Sequence, residues 1–530
     1  MKKLLLMLVA VMATMPTFAN AEDEGWTKSF TPVADKSDLA GVHTAVAADG
    51  SVYVSSTYDQ AFTFAEKSIT DPDGLLSSCI VKYDAEGNEK WAVSLVGACK
   101  IYAMTADTDG TLYIAGQSQD EKVVITDTQN HAKEIQNPKR LDPFFEEFVS
   151  ANEGFIAKID KDGVLQGILT LIPEVNPDIL AITGDPYEMG MEGSIYDYSF
   201  NDPVYVLPKK IVLDGDKVYI AAGFTGDIAE LGWKGCYLNY YAMDMSIMDI
   251  KSYGIFSMDK NLSNLTSVAT VQTTEKVQTM SQYYPETIDF VVYGGVPHVA
   301  FIGGGELTLT TAAGSKNFAF DVTDEGLNHA LVLVNVNAPE QPKVFNAAPT
   351  DYLGAKFDLV DATLADNNCI LAGTFYGNFA LDNTVTKDKN TSFVASIKMS
   401  DCSVNWAMAN EVASEAKCMI VTGEEIKAST NVATYTFKTA TGELKADMTK
   451  DQSFDDADCY SDEYVSTVAA NENSVVVFCP KMSSSGINEA QAQKNGAMKY
   501  YNVNGVELSA PQKGLNIVKT TDGVKKVTIK

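Results

Sequence analysis

Two short β motifs alternate along most of this chain, and this alternation limits the folds it can adopt more than any other feature. The first motif is a strand, a turn of Asp, Asn or Gly, and a strand rich in aromatic and β-branched residues; its copies begin at Ala45, Ala103, Lys210, Asp289, Leu364 and Val465. The second motif is a hairpin with a similar turn; its copies begin at Cys79, Gly154, Tyr253, Ala330, Ser392 and Val432. Apolar residues at every second position, joined by such turns, indicate antiparallel hairpins.

Taken together, the two motifs form repeated units of four antiparallel strands, A-B followed by C-D. One such sheet cannot bury both of its faces alone, but several sheets stacked radially can. We therefore predict an all-β fold, a β-propeller of seven blades, with six or eight as alternatives. Six units are complete. Parts for a seventh are residues 464–479, a hairpin near Ala497, and an N-terminal strand from Trp26 that would close the ring from the other chain end.

The best copies resemble the family of seven-bladed propeller repeats with the pattern A-K-Y-D-x-x-G-x-x-x-W followed by D-x-x-G-x-x-Y-V-x-G. The residues that carry the resemblance are Val81, Lys82, Tyr83, Asp84, Gly87, Trp91 and the stretch 107–116. Blades three, four and six depart from the pattern and lack the tryptophan. The resemblance implies a fold and seldom a chemistry.

The N-terminus has the features of a secretory signal peptide over residues 1–21. Lys2 and Lys3 precede an apolar run over residues 4–15 that is too short to span a bilayer, and Ala19-Asn20-Ala21 offers a cleavage site. We therefore expect an exported protein, in the periplasm, at the cell surface or in the medium. The propeller is predicted to occupy residues 22–496, with no transmembrane span.

The C-terminal residues 497–530 differ in charge from the acidic remainder, with six lysines against two acids. They resemble the C-terminal tails of secreted Bacteroidetes proteins, related to type IX secretion sorting domains, through the stretches 501–505 and 511–515 and through Asp522-Gly523. The resemblance implies sorting to the cell surface or medium. In the alternative interpretation, residues 497–510 are the last hairpin of the propeller.

Nearly all the long loops are predicted on one face of the propeller, the one that carries the B-C and D-A connections. They span about residues 119–153, 172–209 and 227–252, and we expect them to form one lobe. The third loop contains Trp233, Tyr237, Tyr240 and Tyr241. Exposed aromatic residues stack on sugars or anchor partner proteins, which makes these four the candidate ligand-binding residues. The alternative is a small satellite core.

Cysteines of an exported protein usually pair. Once the strands are placed in blades, the reasonable pairs are Cys369 with Cys402, Cys459 with Cys479, and Cys79 with Cys99, each a candidate disulfide. Cys236 and Cys418 remain without an assigned partner.

Composition and motifs give little sign of chemistry. The chain has 40 Lys+Arg against 70 Asp+Glu, a formal net charge of -30, so nucleic acid is a poor partner. We find no zinc spacing among the four histidines, no serine-hydrolase elbow and no phosphate-binding loop. No catalytic residue, metal site or cofactor is therefore predicted.

We predict a secreted, non-enzymatic propeller that binds a glycan or an extracellular or envelope protein through its long-loop face. One alternative is a propeller enzyme, a hydrolase or lyase acting on polysaccharide, with carboxylates in the central pocket. The other is a structural surface or adhesion component.

Overall fold

Strands form nearly all of the regular structure in this computed structural model. It describes residues 26–71, 74–137, 139–141, 148–150, 152–174, 205–235, 239–241, 246–248, 252–273, 287–320, 322–323, 326–327, 329–346, 356–382, 385–422, 424–449, 460–461, 467–471, 473–479, 499–501, 507–508, 514–520 and 523–529. The signal peptide predicted over residues 1–21 lies outside them. They fall into two compact units. Thr27 to Cys479 belong to the first, and the second groups Trp26 with the described residues that follow Cys479.

The first unit is built from strands that follow one another along the chain. Up to residue 136 they are β1 (Trp26–Phe30), β2 (His43–Val46), β3 (Val52–Tyr58), β4 (Phe62–Phe64), β5 (Lys67–Ile69), β6 (Ser77–Tyr83), β7 (Glu89–Val96), β8 (Cys99–Ala106), β9 (Leu112–Ser118), β10 (Lys122–Thr126) and β11 (Ala132–Gln136). From residue 139 to 327 they are β12 (Lys139–Leu141), β13 (Phe148–Ser150), β14 (Glu153–Ile159), β15 (Leu165–Leu171), β16 (Val206–Asp214), β17 (Lys217–Phe224), β18 (Asn239–Tyr241), β19 (Ser246–Met248), β20 (Ser252–Asp259), β21 (Thr266–Thr273), β22 (Ile288–Tyr293), β23 (Val296–Gly303), β24 (Glu306–Thr311), β25 (Gly314–Ala319), β26 (Val322–Thr323) and β27 (Gly326–Leu327).

The remaining strands of this unit run to residue 479. They are β28 (Ala330–Asn335), β29 (Lys343–Asn346), β30 (Lys356–Ala365), β31 (Asn368–Asn378), β32 (Thr386–Lys398), β33 (Val404–Ala409), β34 (Ala416–Thr422), β35 (Glu425–Thr430), β36 (Ala433–Lys438), β37 (Leu444–Thr449), β38 (Tyr460–Ser461), β39 (Thr467–Asn471) and β40 (Ser474–Cys479). Two short 3-10 helices, Lys36–Asp38 and Ala229–Leu231, are the helical elements of the described residues.

The predicted A-B-C-D meander recurs in the antiparallel sheets, which confirms the all-β propeller fold. In chain order the blades are β2-β3-β6-β7, β8-β9-β14-β15, β16-β17-β20-β21, β22-β23-β28-β29, β30 to β33, β34 to β37, and β38-β39-β40-β1. We refer to them as blades one to seven. The first strand of each blade contacts the first strand of the next, in the closed order β2, β8, β16, β22, β30, β34, β38 and back to β2. These strands therefore surround the propeller axis.

The last blade joins the two ends of the propeller chain. The N-terminal strand β1 pairs with β40 as the outermost strand, which confirms the closing strand predicted from Trp26. Two details differ from the prediction. Strand β38 is innermost, so the motif at residues 467–479 provides the two middle strands of the blade, and the hairpin predicted near Ala497 belongs to another sheet.

Blades one and three each carry two extra strands at their outer edge. Strands β10 and β11 extend blade one, and β24 and β25 extend blade three, although each hairpin is inserted in the B-C connection of the following blade. The predicted loop 119–153 is therefore partly sheet. The reason is local: the run from Lys122 to Thr126 alternates, with Val123 and Ile125 fully buried. The added hairpins cover the unpaired edges of the fourth strands.

Neighbouring blades are joined by aromatic side chains that reach the turns of the next blade. The indole N–H of Trp91 donates to the Lys161 carbonyl at 3.0 Å, and the Tyr53 hydroxyl donates to the Gly110 carbonyl at 2.8 Å. Gly163, with a φ of 83°, packs against the Trp91 ring, and a Cβ at this position would collide with the Thr128 side chain. The repeat therefore places its tryptophan and turn glycine at an interface between blades.

The aspartates of the turns bind their own backbone. The Asp160 carboxylate accepts from the Asp162 and Val164 amides at 3.0 and 2.9 Å, and Asp84 does the same for Glu86 and Asn88. This is the usual role of Asp in tight turns. Elsewhere, apolar residues of adjacent blades interlock in separate core clusters, one for each blade pair from blades one and two to blades five and six.

The second unit contains one antiparallel sheet. Its strands are β41 (Lys499–Tyr501), β42 (Glu507–Leu508), β43 (Gly514–Thr520) and β44 (Gly523–Ile529), in the order β42-β41-β43-β44. The sorting function predicted from the tail sequence stays a prediction. In the part of the chain that is described, no helix is long and apolar enough to cross a membrane.

Candidate functional site

Trp233, the first of the predicted ligand-binding aromatics, belongs to the core. Its side chain is 3% exposed, and its ring stacks on Phe224 with centroids 4.6 Å apart. The indole N–H donates to the Ser267 hydroxyl at 2.7 Å. The assignment of Trp233 as an exposed binding residue is therefore wrong, because its ring surface and its donor are already used within blade three and the adjoining loop.

The other three aromatics of that loop give no binding surface that can be described. Tyr240 and Tyr241 lie on β18, which pairs with β19, and Tyr237 lies outside the described residues. For all three, ligand binding stays a prediction. Trp233 itself packs in the core between blades two and three, so the alternative of a separate satellite core in the lobe also stays a prediction.

A cluster of three charged side chains lies at the axis of the propeller. Lys210, Asp289 and Asp361 lie on the innermost strands β16, β22 and β30 of blades three, four and five. They occupy equivalent positions, because each is paired across its sheet with an alanine of strand B: Ala221, Ala300 and Ala372, respectively. Stacking of three consecutive blades therefore brings them together.

The Lys210 ammonium binds both carboxylates. Its Nζ atom lies 2.8 Å from Asp289 Oδ1 and 3.1 Å from Asp361 Oδ1, and it also donates to the Ala362 carbonyl. The other Asp289 oxygen accepts from the Ala362 amide at 2.7 Å. Lys210 thus reaches from blade three past blade four to blade five, and it links three innermost strands at one point.

Burial and charge oppose each other in this cluster. Burial by itself lowers the pKa of Lys210, but the two carboxylates outweigh it and raise that pKa above its ordinary value. Burial raises the pKa of Asp289 to about 6, and the Asp361 charge adds to the shift while Lys210 opposes it. The cluster is therefore an ion network in which one ammonium is shared by a buried carboxylate, Asp289, and a partly exposed one, Asp361.

Sequence patterns did not single out this cluster, although a carboxylate pair lining the axis was one of the alternatives. Each residue precedes the A-B turn of its blade by the same number of positions, in the runs KIVLD, DFVVY and DATLA. A charged residue within an innermost strand, at a fixed distance before the A-B turn, is the available signal. That signal does not show which charges meet, since this depends on how the blades stack.

A cavity of about 410 Å³ opens between blades five and six. Its residues come from the ends of strands, the D-A connection and a B-C turn, so it lies on the face predicted to carry the binding loops. They are Tyr376, Lys389, Asn390, Ala413, Ser414, Glu415 and Asn431. The volume is within the range of about 300–1,000 Å³ that is usual for small-molecule sites.

Hydrogen bonds between the two blades hold the wall of this cavity. The Glu415 amide donates to Asn431 Oδ1 at 2.9 Å, and the Asn431 amide donates to the Glu415 carbonyl at 3.1 Å. The Ser414 amide donates to the Asn390 carbonyl at 2.9 Å. The D-A connection is thus fixed to both blades, and the polar groups of the wall are held in position.

Glu153 is a buried carboxylate in blade two, at the start of β14. The side chain is fully buried, and neither carboxylate oxygen has a well-formed hydrogen bond within the described residues. Burial raises its pKa to about 7; the Thr170 hydroxyl opposes this shift and Glu230 adds to it. Ionised Glu153 therefore destabilises the fold at neutral pH.

We expect Glu153→Gln to stabilise the protein at pH 8 and to have little effect at pH 4.5. The pKa of this carboxyl group is higher in the folded state than in the unfolded state. The protein therefore loses stability as the pH rises from the unfolded-state pKa through the folded-state pKa. The full gain is on the order of 2–3 kcal/mol. Melting temperatures of both proteins across this pH range measure it, and an equal shift at every pH would contradict the assignment.

The described members of the predicted disulfides are thiols in this structure: Cys79, Cys99, Cys369 and Cys402. Burial raises the pKa of all four, that of Cys99 to about 12. Cys99 adds to the shift of Cys79, and Cys402 to that of Cys369, so each predicted pair shares one neighbourhood. Disulfide formation stays a prediction. The pair Cys459 and Cys479, and Cys236, have no described side chains.

No family model matches the sequence, and no curated protein matches it. Among solved structures, the β-propeller domain of Myceliophteria thermophila Cps50 (Swd1) is similar with 10% identity and a TM-score of 0.35, over 85% of this chain and 99% of that chain. BamB from Moraxella catarrhalis is similar with 10% identity and a TM-score of 0.32, over 80% of this chain and 98% of that chain. At this level no residue role is transferred. Within the described residues, no group of three His, Cys, Asp or Glu side chains could hold a metal ion.

Proposed function

We propose that this protein is an exported, non-enzymatic binding scaffold that engages a glycan or an envelope protein through the face of the B-C and D-A connections. The observation that carries the proposal is the position of the Lys210 ammonium between Asp289 and Asp361. A polysaccharide hydrolase needs a carboxylate pair on either side of the scissile bond. In this protein an internal cation occupies the space between the two carboxylates.

The difference between the two faces of the propeller also supports the proposed binding function. The A-B and C-D turns are short and bind their own backbone, as at Asp84 and Asp160. The opposite face carries the cavity between blades five and six, and its B-C connections include the hairpins that extend the outer edges of blades one and three. Binding residues are commonly found on such connections, held in place by a rigid scaffold.

Two measurements on the full chain test this function. The first follows the release of sugar ends from a panel of neutral and acidic polysaccharides, with Asp289→Asn and Asp361→Asn as matched variants. We expect no release above the buffer level from any of the three proteins. Release that either variant abolishes would establish the enzyme alternative instead.

The second measurement concerns binding itself. Cell-envelope material is separated into a polysaccharide and a protein fraction, and each is passed over the immobilised chain. We expect specific retention from one fraction, with release by the same fraction added in solution. If neither fraction is retained, the binding scaffold is wrong and a purely structural role takes its place.

A further inference from the structure

We propose that the cavity between blades five and six binds a neutral glycan, with the Tyr376 ring as the stacking surface and Asn390 and Asn431 as hydrogen-bonding groups. The inference rests on the proposed binding function, and it adds a location and a class of ligand. No sequence motif indicates this site, because its residues come from four separate stretches of two blades.

The types of side chain in the wall match the surface of a sugar ring. A pyranose offers an apolar C–H face and a rim of hydroxyl groups, and a half-buried tyrosine offers an apolar ring with a polar tip. Asn431 Oδ1 and Asn390 Nδ2 already bind within the wall, so the groups offered to a ligand are Asn431 Nδ2 as a donor, and Asn390 Oδ1 and the Glu415 carboxylate as acceptors. This combination binds hydroxyl groups whatever the direction of their hydrogens.

The rigidity of the wall favours ligands that bind through weak polar contacts. Glu415 and Asn431 bind each other through both backbone amides, and Asn390 Nδ2 donates to Glu415 Oε1 at 3.4 Å. The buried Ser414 hydroxyl of the D-A connection lies 2.7 Å from the Ser392 hydroxyl of β32. Because these groups are already ordered, a ligand loses less free energy to fixing them.

Charge selects a neutral ligand over an acidic one. The cavity has one cation, Lys389, and one carboxylate, Glu415, which Lys417 approaches to 3.5 Å. The chain as a whole has a formal net charge of -30. A polyanionic glycan would therefore meet long-range repulsion without a cluster of cations to offset it. An uncharged sugar does not experience this repulsion.

The test uses the full chain and defined probes. Neutral oligosaccharides of glucose, mannose, galactose and N-acetylglucosamine, and the acidic polymers polygalacturonate and heparin, are titrated by calorimetry. We expect binding to at least one neutral probe and none to the acidic polymers. Tyr376→Ala should weaken that binding at least tenfold, and Asn390→Ala, at an exposed position, several-fold.

The matched control is Tyr293→Ala. Tyr293 is also half-buried, but it adjoins an A-B turn and so lies on the other face of the propeller. Its substitution should leave the affinity unchanged. If Tyr376→Ala does not fold, Asn390→Ala and the slowing of backbone hydrogen exchange at residues 386–391 and 410–416 by the bound probe decide the location.

The possible failures are distinguishable. A neutral probe that binds equally well to the Tyr376 and Asn390 variants overturns this site but leaves the scaffold function intact. Absence of binding to every neutral probe overturns the glycan class, while retention of envelope protein would still support the scaffold. Stronger binding of an acidic polymer overturns the charge argument.

Discussion

We expect Lys210→Met to lower the free energy of unfolding by about 3–5 kcal/mol, because it leaves the buried Asp289 and the partly exposed Asp361 without their common cation. The Ala362 carbonyl loses a donor in the same substitution. Methionine retains most of the length of the lysine side chain, so the loss reports the charge and its hydrogen bonds. Thermal and urea unfolding of the full chain measure the effect.

The pH dependence distinguishes this cause from a simple packing defect. Without Lys210, the pKa of Asp289 rises further above its already raised value of about 6. The carboxyl is then neutral at pH 5 and costs little, whereas at pH 8 its ionised form destabilises the fold. We therefore expect a smaller loss of stability at pH 5 than at pH 8. A loss that is independent of pH would contradict the ion network.

Two further variants control this experiment. Lys217→Met removes a lysine of the same blade whose ion pair with Asp259 lies at the surface, and we expect little change. Adding Asp289→Asn and Asp361→Asn to Lys210→Met removes the uncompensated charges and should restore most of the stability. If the triple variant is as unstable as Lys210→Met, the cluster contributes through shape and not through charge.

Trp233→Ala is the second substitution with a large expected effect, a loss of about 3–5 kcal/mol. The ring stacks on Phe224, meets Phe256 edge-on at 6.0 Å, and packs directly on Gly254, where a Cβ would collide with it. Its removal leaves a cavity in the core between blades two and three. The melting temperature of the full chain should fall accordingly.

Binding gives the opposite expectation for the same variant. Since Trp233 presents no face to solvent, Trp233→Ala should retain the affinity for a neutral glycan at temperatures where it is folded. Trp233→Phe keeps an aromatic ring and loses the donor to Ser267, so its stability should lie between that of the unchanged protein and that of Trp233→Ala. Leu444→Ala, at a side chain 47% exposed, is the control with little effect. If Trp233→Ala loses binding without losing stability, the prediction of Trp233 as a ligand-binding residue would be correct after all.

Sequence patterns predicted the strands well where the alternation was strong. The copies at Ala45, Ala103 and Lys210 are A-B hairpins, and the copies at Cys79 and Gly154 are C-D hairpins. Their alternation and turns are local properties, which neighbouring residues specify. The insertion at residues 122–136 was predicted as loop although its first strand alternates, because the sheet edge with which that strand pairs lies in another blade.

The candidate site was far less accessible to sequence reasoning. The face that holds the cavity was predicted, because the lengths of the connections between strands can be counted in the sequence. Its wall was not, because Tyr376, Asn390, Glu415 and Asn431 meet only when blades five and six pack together. The aromatic loop stood out through composition, but composition does not tell whether a tryptophan faces solvent or the core.

The sequence by itself determined the blades, their order and the strand from Trp26 that closes the propeller, because periodicity and turn residues act over a few positions. Tertiary structure alone decided that Lys210 would meet Asp289 and Asp361, which lie far apart along the chain. It also decided that Trp233 would be buried. Such contacts depend on strand register and on the stacking of whole sheets, and no local pattern specifies either.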